Sequence, residues 1–295
     1  MTLLGALRSK DPAAVGYIAA WKFLGLLPSS VVRQAFEFSA SRLARRESVV
    51  AQLRLNLARV VGETAVTEQL VAAAMRSYAR YWAEAFQLPR LSRRAGLSQQ
   101  LERGVTGAQH LDASLSAGRG AVIALTHSGN WDMAGVWLVH HVGGFTTVAE
   151  RLKPEVLFDA FVEYRTALGF EVIGHEGDGA PFDRLKAALE RGGIVCLLGE
   201  RDLKQAGVPV QFFGEETTFP AGPAELARQT GAALHVADIY FTPDGWGLGI
   251  SAALEVSDLV STTQDIATHF ERNIKAHPAD WHMLQPLWLK DRRRK

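Results

Sequence analysis

The sequence predicts an α/β fold: a mixed, largely parallel central sheet covered by helices on both faces, with a helical N-terminal region ahead of it. Three observations carry that expectation. Apolar residues in the first third recur at helical spacing. From Gly120 onward, short apolar runs alternate with amphipathic segments. The last two apolar runs are joined by a tight turn. Strands that alternate with helices pair in parallel, because each crossover helix returns the chain to the same end of the sheet. The chain has 295 residues, 47% hydrophobic and 21% charged, enough to fill one large core. A single domain over 1–295 is expected, with a helical, basic part (1–106) and an α/β part (107–295).

Asp11-Pro12 reads as an N-cap followed by proline at the first helical position, with Tyr17, Trp21 and Leu24 at helical spacing behind it. Ser29 or Ser30 caps a second helix that carries Val32, Phe36 and Leu43 beside Arg33, Arg42, Arg45 and Arg46. Val71, Met75, Tyr78, Trp82 and Phe86 form a further stripe on a helix that stops before Pro89. The strand candidates are Ala121–Leu125, Phe145–Ala149, Phe170–Ile173, Ile194–Leu198, Val208–Phe213, Leu234–Phe241 and Trp246–Leu254. Helical patterns at Asp132–His141, Pro154–Leu168 and Pro181–Arg191 separate the early ones. Thr242-Pro243-Asp244-Gly245 makes the last two an antiparallel hairpin.

Composition excludes several classes. A single cysteine, Cys196 in an apolar run, rules out an intrachain disulfide and a cysteine-based zinc cluster. Lys22, Pro28 and two serines break the apolar N-terminal stretch, so no membrane span is expected. No basic segment with a cleavage site marks a secretory signal, and the cytoplasm is the default compartment. There is no Gly-x-Ser-x-Gly elbow, Walker loop, Gly-x-Gly-x-x-Gly or His-Glu-x-x-His, so no metal is expected. Residues 1–106 carry 15 basic and 7 acidic side chains, a net of +8, whereas 107–289 carry 12 against 23, a net of −11. Such basic ends suit an anionic partner. No nucleic-acid-binding module accompanies them, and an anionic membrane surface or simply solvated helix faces account for the imbalance equally well.

Ligands of α/β sheets gather beyond the carboxyl ends of the strands. There the sequence puts His127, Glu150 and Glu200, each just after a strand candidate. His127-Ser128-Gly129-Asn130-Trp131-Asp132 is long enough for a turn that brings Asp132 to the histidine ring. A carboxylate there fixes one tautomer and steadies the imidazolium once the other nitrogen takes a proton. From these features alone a catalytic histidine and a satisfied structural one fit equally well.

The same residues resemble the lysophospholipid and lipid A late acyltransferase superfamily. His127–Asp132 is similar to its His-x4-Asp block, and Glu200-Arg201-Asp202 to its second block. Thr218–Pro223 resembles its Phe-Pro-Gly block, interrupted here by Ala221. His277–His282 resembles its Pro-Glu-Gln-Trp block, and Leu55-Asn56-Leu57 an early Asn-Leu signature. Nearly the whole chain is covered. Ser77–Trp82, His127–Leu138, Thr146–Glu155 and Pro278–Pro286 most resemble the branch that acylates phosphatidylinositol mannosides.

That resemblance implies transfer of a long acyl chain, palmitoyl, from acyl-CoA. The acceptor is the 6-hydroxyl of the mannose at inositol position 2 of phosphatidylinositol mono- or dimannoside. The site lies on the cytoplasmic face of the plasma membrane, where the protein is peripheral, and no cofactor is involved. His127 is the expected general base, Asp132 its orienting partner, and Glu200 a second carboxylate for the imidazolium or the mannose. Glu150 and Arg165 are candidates for mannose hydroxyls, Asn130, a nearby backbone N–H or Arg201 for the oxyanion, and Arg151 and Lys153 for phosphates. An apolar tunnel is expected to shield the acyl chain. A lysophospholipid or lipid A-type acyltransferase with another acceptor, and a non-catalytic lipid-binding protein, remain alternatives.

Overall fold

The computed structural model describes residues 12–149, 155–174 and 181–292. Four helices come first: α1 (Pro12–Leu26), α2 (Ser29–Leu43), α3 (Glu47–Val61) and the long α4 (Glu68–Leu91). Asp11 and the Tyr17 side chain lie outside the described part. Pro28 stands at the cap of α2, so Ser29 and Ser30 are its first residues rather than its cap. Thr67 caps α4 through its hydroxyl, which accepts the Leu70 N–H at 3.2 Å. Pro89 lies inside the last turn of α4 instead of ending it. Proline takes helical dihedrals readily, and so near the end it forfeits one backbone bond while Ser92 N–H still reaches the Leu88 carbonyl at 2.8 Å.

Next come α5 (Leu97–Arg103), β1 (Val105–Thr106), α6 (Ala108–Ser116), β2 (Ala121–Leu125), α7 (Trp131–Val142), β3 (Phe145–Ala149), α8 (Glu155–Ala167) and β4 (Phe170–Gly174). Then follow α9 (Pro181–Glu190), β5 (Ile194–Leu198), β6 (Val208–Phe212), β7 (Glu215–Phe219), α10 (Gly222–Thr230), β8 (Ala233–Thr242), β9 (Gly245–Ile250), α11 (Leu259–Ala276) and α12 (Leu289–Arg292). The main sheet runs β1-β9-β8-β2-β5-β3-β4. All of its neighbours pair in parallel except the β8/β9 hairpin. The mixed, largely parallel sheet is therefore as the sequence predicts. Val208–Phe213 departs from it. Its strand, β6, pairs antiparallel with β7 in a separate two-stranded sheet.

The central strand β2 is buried throughout, and its alternation serves two cores. Val122 and Ala124 pack with α9, α10 and α11 on one face. Ala121, Ile123 and Leu125 pack with α5, α6 and α7 on the other. A third cluster joins α2, α3 and α4 through Ala40, Leu53, Leu57 and Val71. α1 docks through Trp21, whose ring meets Phe86 of α4 and Phe161 of α8 at 5.9 and 4.5 Å. Among the described residues no helix is long and apolar enough to cross a membrane.

Candidate active site

Register brings the two key side chains together. Leu125 of β2 pairs with Leu198 of β5. Two residues beyond each lie His127 and Glu200, and Gly199 N–H continues the ladder to the Leu125 carbonyl at 2.9 Å. Glu200 is fully buried. Its Oε1 accepts the His127 backbone N–H at 2.6 Å and meets His127 Nδ1 at 2.9 Å. Burial alone would raise the Glu200 carboxyl, but the histidine ring and its backbone N–H outweigh it and hold the group below its usual 4.5. An ionised Glu200 can only accept, so Nδ1 carries the hydrogen and Nε2 is free to take a proton.

The sequence expectation gives that orienting role to Asp132, and the structure pairs Asp132 elsewhere. Asp132 sits in the first turn of α7, where Asn130 Oδ1 caps Met133 N–H at 3.0 Å. Arg165, in the last turn of α8, clamps it with two donors: Nε to Oδ1 at 2.8 Å and Nη2 to Oδ2 at 3.1 Å. The Tyr81 hydroxyl donates to Oδ2 at 3.3 Å. Burial works against the Arg165 charge, yet Asp132 prevails and holds the guanidinium above its usual value. The same burial, with Asp132 next, drives Tyr81 well up, so its hydroxyl stays protonated as a donor.

The turn between the two groups depends on Gly129, at φ +54°, where a Cβ would meet the backbone of Ile239 and Tyr240 at 2.8–2.9 Å. The C-terminal block fastens the same turn. Gly129 N–H reaches the Asp280 carbonyl at 2.9 Å, and His282 N–H reaches the His127 carbonyl at 2.7 Å.

His127, Asp132, Arg165 and Arg201 border one cavity of about 310 Å³. Most of its wall is apolar, including Tyr78, Trp82, Leu125, Trp131, Leu138, Phe145, Phe170 and Leu198. Gly135 of α7 belongs to the wall, and a Cβ there would meet Phe170 at 2.6 Å. Cys196 borders the cavity too, its thiol pushed up by burial. Arg201 donates to Gln285 Oε1 across the rim.

Asn130 does not line this cavity. It is fully buried, and its amide donates to Glu84 Oε2 at 2.6 Å while its oxygen caps α7. Its assignment to the oxyanion is therefore corrected: the side chain is spent on structure. Glu150, Arg151 and Lys153 lie outside the described residues. Sequence reasoning assigns no role to Tyr81, Ser77, Asp280 or His282. Tyr81 and Ser77 fall between the positions of the helical stripe, and the signals that flag these four residues are the Ser77–Trp82, His277–His282 and Pro278–Pro286 runs.

A largely parallel sheet whose strand ends deliver a carboxylate-held histidine to a largely apolar cavity is an arrangement suited to proton transfer beside an apolar ligand. The chain belongs to the bacterial lipid A biosynthesis acyltransferase family, whose profile matches residues 12–290. It is an acyltransferase. It is 51% identical over 280 residues, 93% of this chain and 88% of the relative, to a protein of Mycobacterium tuberculosis named phosphatidylinositol mannoside acyltransferase. A Mycolicibacterium smegmatis protein of the same name is 50% identical over 282 residues, 94% of this chain and 91% of its own.

Proposed function

We propose that this chain moves palmitoyl from palmitoyl-CoA to the 6-hydroxyl of the mannose at inositol position 2 of phosphatidylinositol mono- or dimannoside. It works as a single acyltransferase domain, peripheral on the cytoplasmic face of the plasma membrane, with no cofactor besides the donor substrate. The observation that carries this reading is the His127–Glu200 pair beside a largely apolar cavity, in a chain half identical to relatives of that name.

A sugar hydroxyl is a poor nucleophile near neutral pH. His127 Nε2 takes its proton while the oxygen bonds to the thioester carbonyl carbon, a step worth about 10²–10⁴-fold. Nδ1–H stays on Glu200, whose charge offsets the imidazolium. The carbonyl electron pair moves to oxygen, returns as the tetrahedral species collapses, and expels the sulfur, which receives the proton from Nε2. His127 ends neutral. Arg201 is the proposed partner of the oxyanion or of a phosphate. Arg165 and Glu150 read mannose hydroxyls, and Arg151 and Lys153 hold phosphates. Attack is direct, without an acyl-serine: the Ser128 hydroxyl is buried and pairs with Thr126 Oγ1 at 2.8 Å. The Asp132–Arg165–Tyr81 cluster shapes the wall of the cavity instead of orienting His127.

Surface contact supports the peripheral placement. Phe23, Leu26, Val31 and Phe38 of α1 and α2 are exposed, and Lys22, Arg33, Arg42, Arg45 and Arg46 are exposed among them. Apolar insertion flanked by basic side chains suits an anionic bilayer.

The test is turnover of palmitoyl-CoA with a panel of acceptors: phosphatidylinositol mono- and dimannoside, a lysophospholipid and a lipid A precursor. The expected product is a mannose 6-ester with release of free coenzyme A. Turnover confined to the other acceptors would falsify the substrate assignment. No release of coenzyme A with any acceptor would turn the reading to lipid binding.

A further inference from the structure

The carboxylate of Glu84, on α4, gathers donors from three directions while its side chain is only 12% exposed. Oε2 accepts twice, from the Asn130 amide at 2.6 Å and from the Trp246 indole N–H at 2.7 Å. Oε1 accepts from Arg80 Nε at 2.8 Å. The Arg80 guanidinium in turn donates to the Thr242 and Gly245 carbonyls, at 3.1 and 2.8 Å, and so braces the turn between β8 and β9. Bonds from Asn130 and Trp246 to a carboxylate are shorter and stronger than bonds to a neutral acceptor. The spacing along α4 adds to this. Ser77, Tyr81 and Glu84 follow one another at i, i+4 and i+7, which puts them on one face of the helix. All three act on the turn that carries His127. Tyr81 donates to Asp132, Glu84 takes the Asn130 amide, and Ser77 bonds the side chain of Asp280, whose backbone carbonyl receives the Gly129 N–H. That turn needs support from outside. Gly129 stands at φ +54° in its middle, and a glycine moves between backbone regions with little resistance.

We infer that Glu84 is a positioning residue for His127: by holding the Asn130 amide it fixes where Trp131 stands, and Trp131 backs the histidine ring. The inference rests on the acyl-transfer reading above, in which His127 is the general base, and adds to it a residue that touches neither substrate. Trp131 follows Asn130 directly in the chain. Its ring meets His127 edge-on at 5.6 Å and lies 3.9 Å from the ring of Tyr81. Glu200 holds one corner of the imidazole, at Nδ1. A ring pinned at one corner can still tilt, and what packs against its face sets the tilt. When Glu84 releases Asn130, His127 keeps its tautomer and its bond to Glu200 but loses its aim at the acceptor hydroxyl. Glu84 does not border the cavity, so both substrates bind as before. The loss therefore falls on kcat and spares both KM values, because proton transfer tolerates little misplacement of the base. A role confined to stability would instead lower the fraction of folded protein and leave the folded enzyme at its full rate.

Kinetics with palmitoyl-CoA and phosphatidylinositol monomannoside, on protein shown to be folded at the assay temperature, test the link from both ends. Glu84→Met keeps the length of the side chain and removes the acceptor. Asn130→Ser keeps a residue that caps α7 and removes the amide donor. Each is expected to lower kcat about tenfold with both KM values at wild type. The double variant is expected to lose about tenfold as well, not a hundredfold, since both changes cut one link. Glu84→Gln, which keeps an oxygen for Asn130, is expected to recover most of the rate. Trp246→Phe removes the other donor to the same oxygen and leaves Asn130 its partner, so its kcat is expected at wild type. If Glu84→Met does not fold, Asn130→Ser and Trp246→Phe still decide the matter. Wild-type kcat in Asn130→Ser overturns the inference, as does an equal loss in Trp246→Phe, a loss that multiplies in the double variant, or one that appears in KM alone. A second readout needs no turnover. In protein labelled with ¹⁵N-histidine, the His127 ring signals are expected to move in the same direction in Glu84→Met and Asn130→Ser, and to stay in place in Trp246→Phe. Signals unmoved in the first two overturn the inference. Absence of mannoside turnover in the wild type defeats the substrate assignment, and the ring signals then decide the positioning role by themselves. Wild-type rates and ring signals in the Glu84 and Asn130 variants of an active enzyme defeat the positioning role alone.

Discussion

Around His127 the protein buries polar groups, and along α1 and α2 it exposes apolar ones. Glu200 and Asn130 are at 0% exposure and Asp132 at 3%, whereas Phe23 stands at 61%, Phe38 at 60% and Leu26 at 80%. In water both arrangements are unfavourable: a buried charge needs a partner, and a large exposed apolar side chain forgoes about 1.5–3 kcal/mol of burial. The difference lies in where the compensation comes from. At the sheet edge it is internal, since Glu200 has His127, Asp132 has Arg165 and Tyr81, and Asn130 has Glu84. On α1 and α2 the described residues leave Phe23 and Leu26 largely in water, and only the Arg42 guanidinium lies over the Phe38 ring, at 4.5 Å; on the proposed reading the rest of the compensation comes from a bilayer. The first region is satisfied by its own side chains; the second is where the proposed membrane contact can be tested.

The sharpest way to break the internal side of that contrast is to remove its chemistry. His127→Ala should lower kcat by about 10³-fold or more with the protein still folded, and Glu200→Gln by about 10²–10³-fold, read as coenzyme A release. Glu200→Gln should also change how stability responds to acid. The folded Glu200 lies below its ordinary value of 4.5, so its contribution is present above that pH and lost as pH falls through the folded value. Wild-type stability should therefore drop more steeply than that of Glu200→Gln below about pH 4.5. Near wild-type turnover in His127→Ala would remove the general base from the account.

Breaking the neighbouring pair tests the division of labour between the two carboxylates. Arg165→Met leaves Asp132 charged, buried and unclamped, and should cost about 3–5 kcal/mol of stability in chemical denaturation. The double variant Asp132→Asn/Arg165→Met should recover much of that. The midpoint of the pH–rate profile should shift in Glu200→Gln and stay put in Asp132→Asn, because only Glu200 touches the His127 ring. A shift of equal size in both variants would return Asp132 to the ring.

The external side of the contrast is tested on vesicles. Charge reversal at Arg42, Arg45 and Arg46 should weaken binding to anionic vesicles by about 10²-fold at low salt, with less effect as salt rises. Phe23→Ala with Phe38→Ala should weaken it by about tenfold, far less dependent on salt. Neither set should lower thermal stability, since these side chains are already in water. Equal affinity of the wild-type protein for neutral and anionic vesicles would defeat the electrostatic part.

How much of this is legible in the sequence differs between the two regions as well. Strands β2, β3 and β5 have the bounds that their apolar runs predict, because a central parallel strand is apolar on both faces and punctuated at both ends. The strand ends then give His127 and Glu200 directly. Their pairing needed register, Leu125 opposite Leu198, and periodicity does not encode register. It favours Asp132, the nearer carboxylate in the chain, over Glu200, the nearer one in space. β7, Glu215-Glu216-Thr217-Thr218-Phe219, has no apolar run at all. It is a strand because Thr217 and Phe219 turn into the core beside Phe212 and Trp288, a tertiary fact. On α2 the basic residues are plain in the sequence, but whether Phe38 faces the core or water is decided only by which face α4 covers.

The smallest expected effect probes a site that belongs to neither extreme, half-buried where β8 meets the C-terminal block. Asp238 is pushed up to about 7, by burial first and by Asp280 second. His277 lies 3.9 Å away, its ring stacked on Tyr240 at 3.8 Å. For Asp238 the folded value exceeds the unfolded one of 3.8. The fold therefore disfavours its ionised form, and its contribution is whole below about pH 4 and lost as pH rises through 7. His282, on the other side of Asp280, works in the opposite sense. Pushed down to about 3, it contributes fully above its ordinary 6.5 and loses that contribution as the pH falls. The two slopes overlap between pH 4 and 7 and partly cancel, so wild-type stability should be nearly flat there. Asp238→Asn removes only the falling slope. It should leave stability at pH 4 nearly unchanged, raise it on the order of 2 kcal/mol at pH 8, and uncover the rise with pH that His282, His277 and His235, all held below their ordinary value by burial, contribute together. Denaturant unfolding at pH 4, 6 and 8 reads all three. An Asp238→Asn curve parallel to the wild type across that range would show that Asp238 titrates at its ordinary value, and that the two carboxylates do not feel each other.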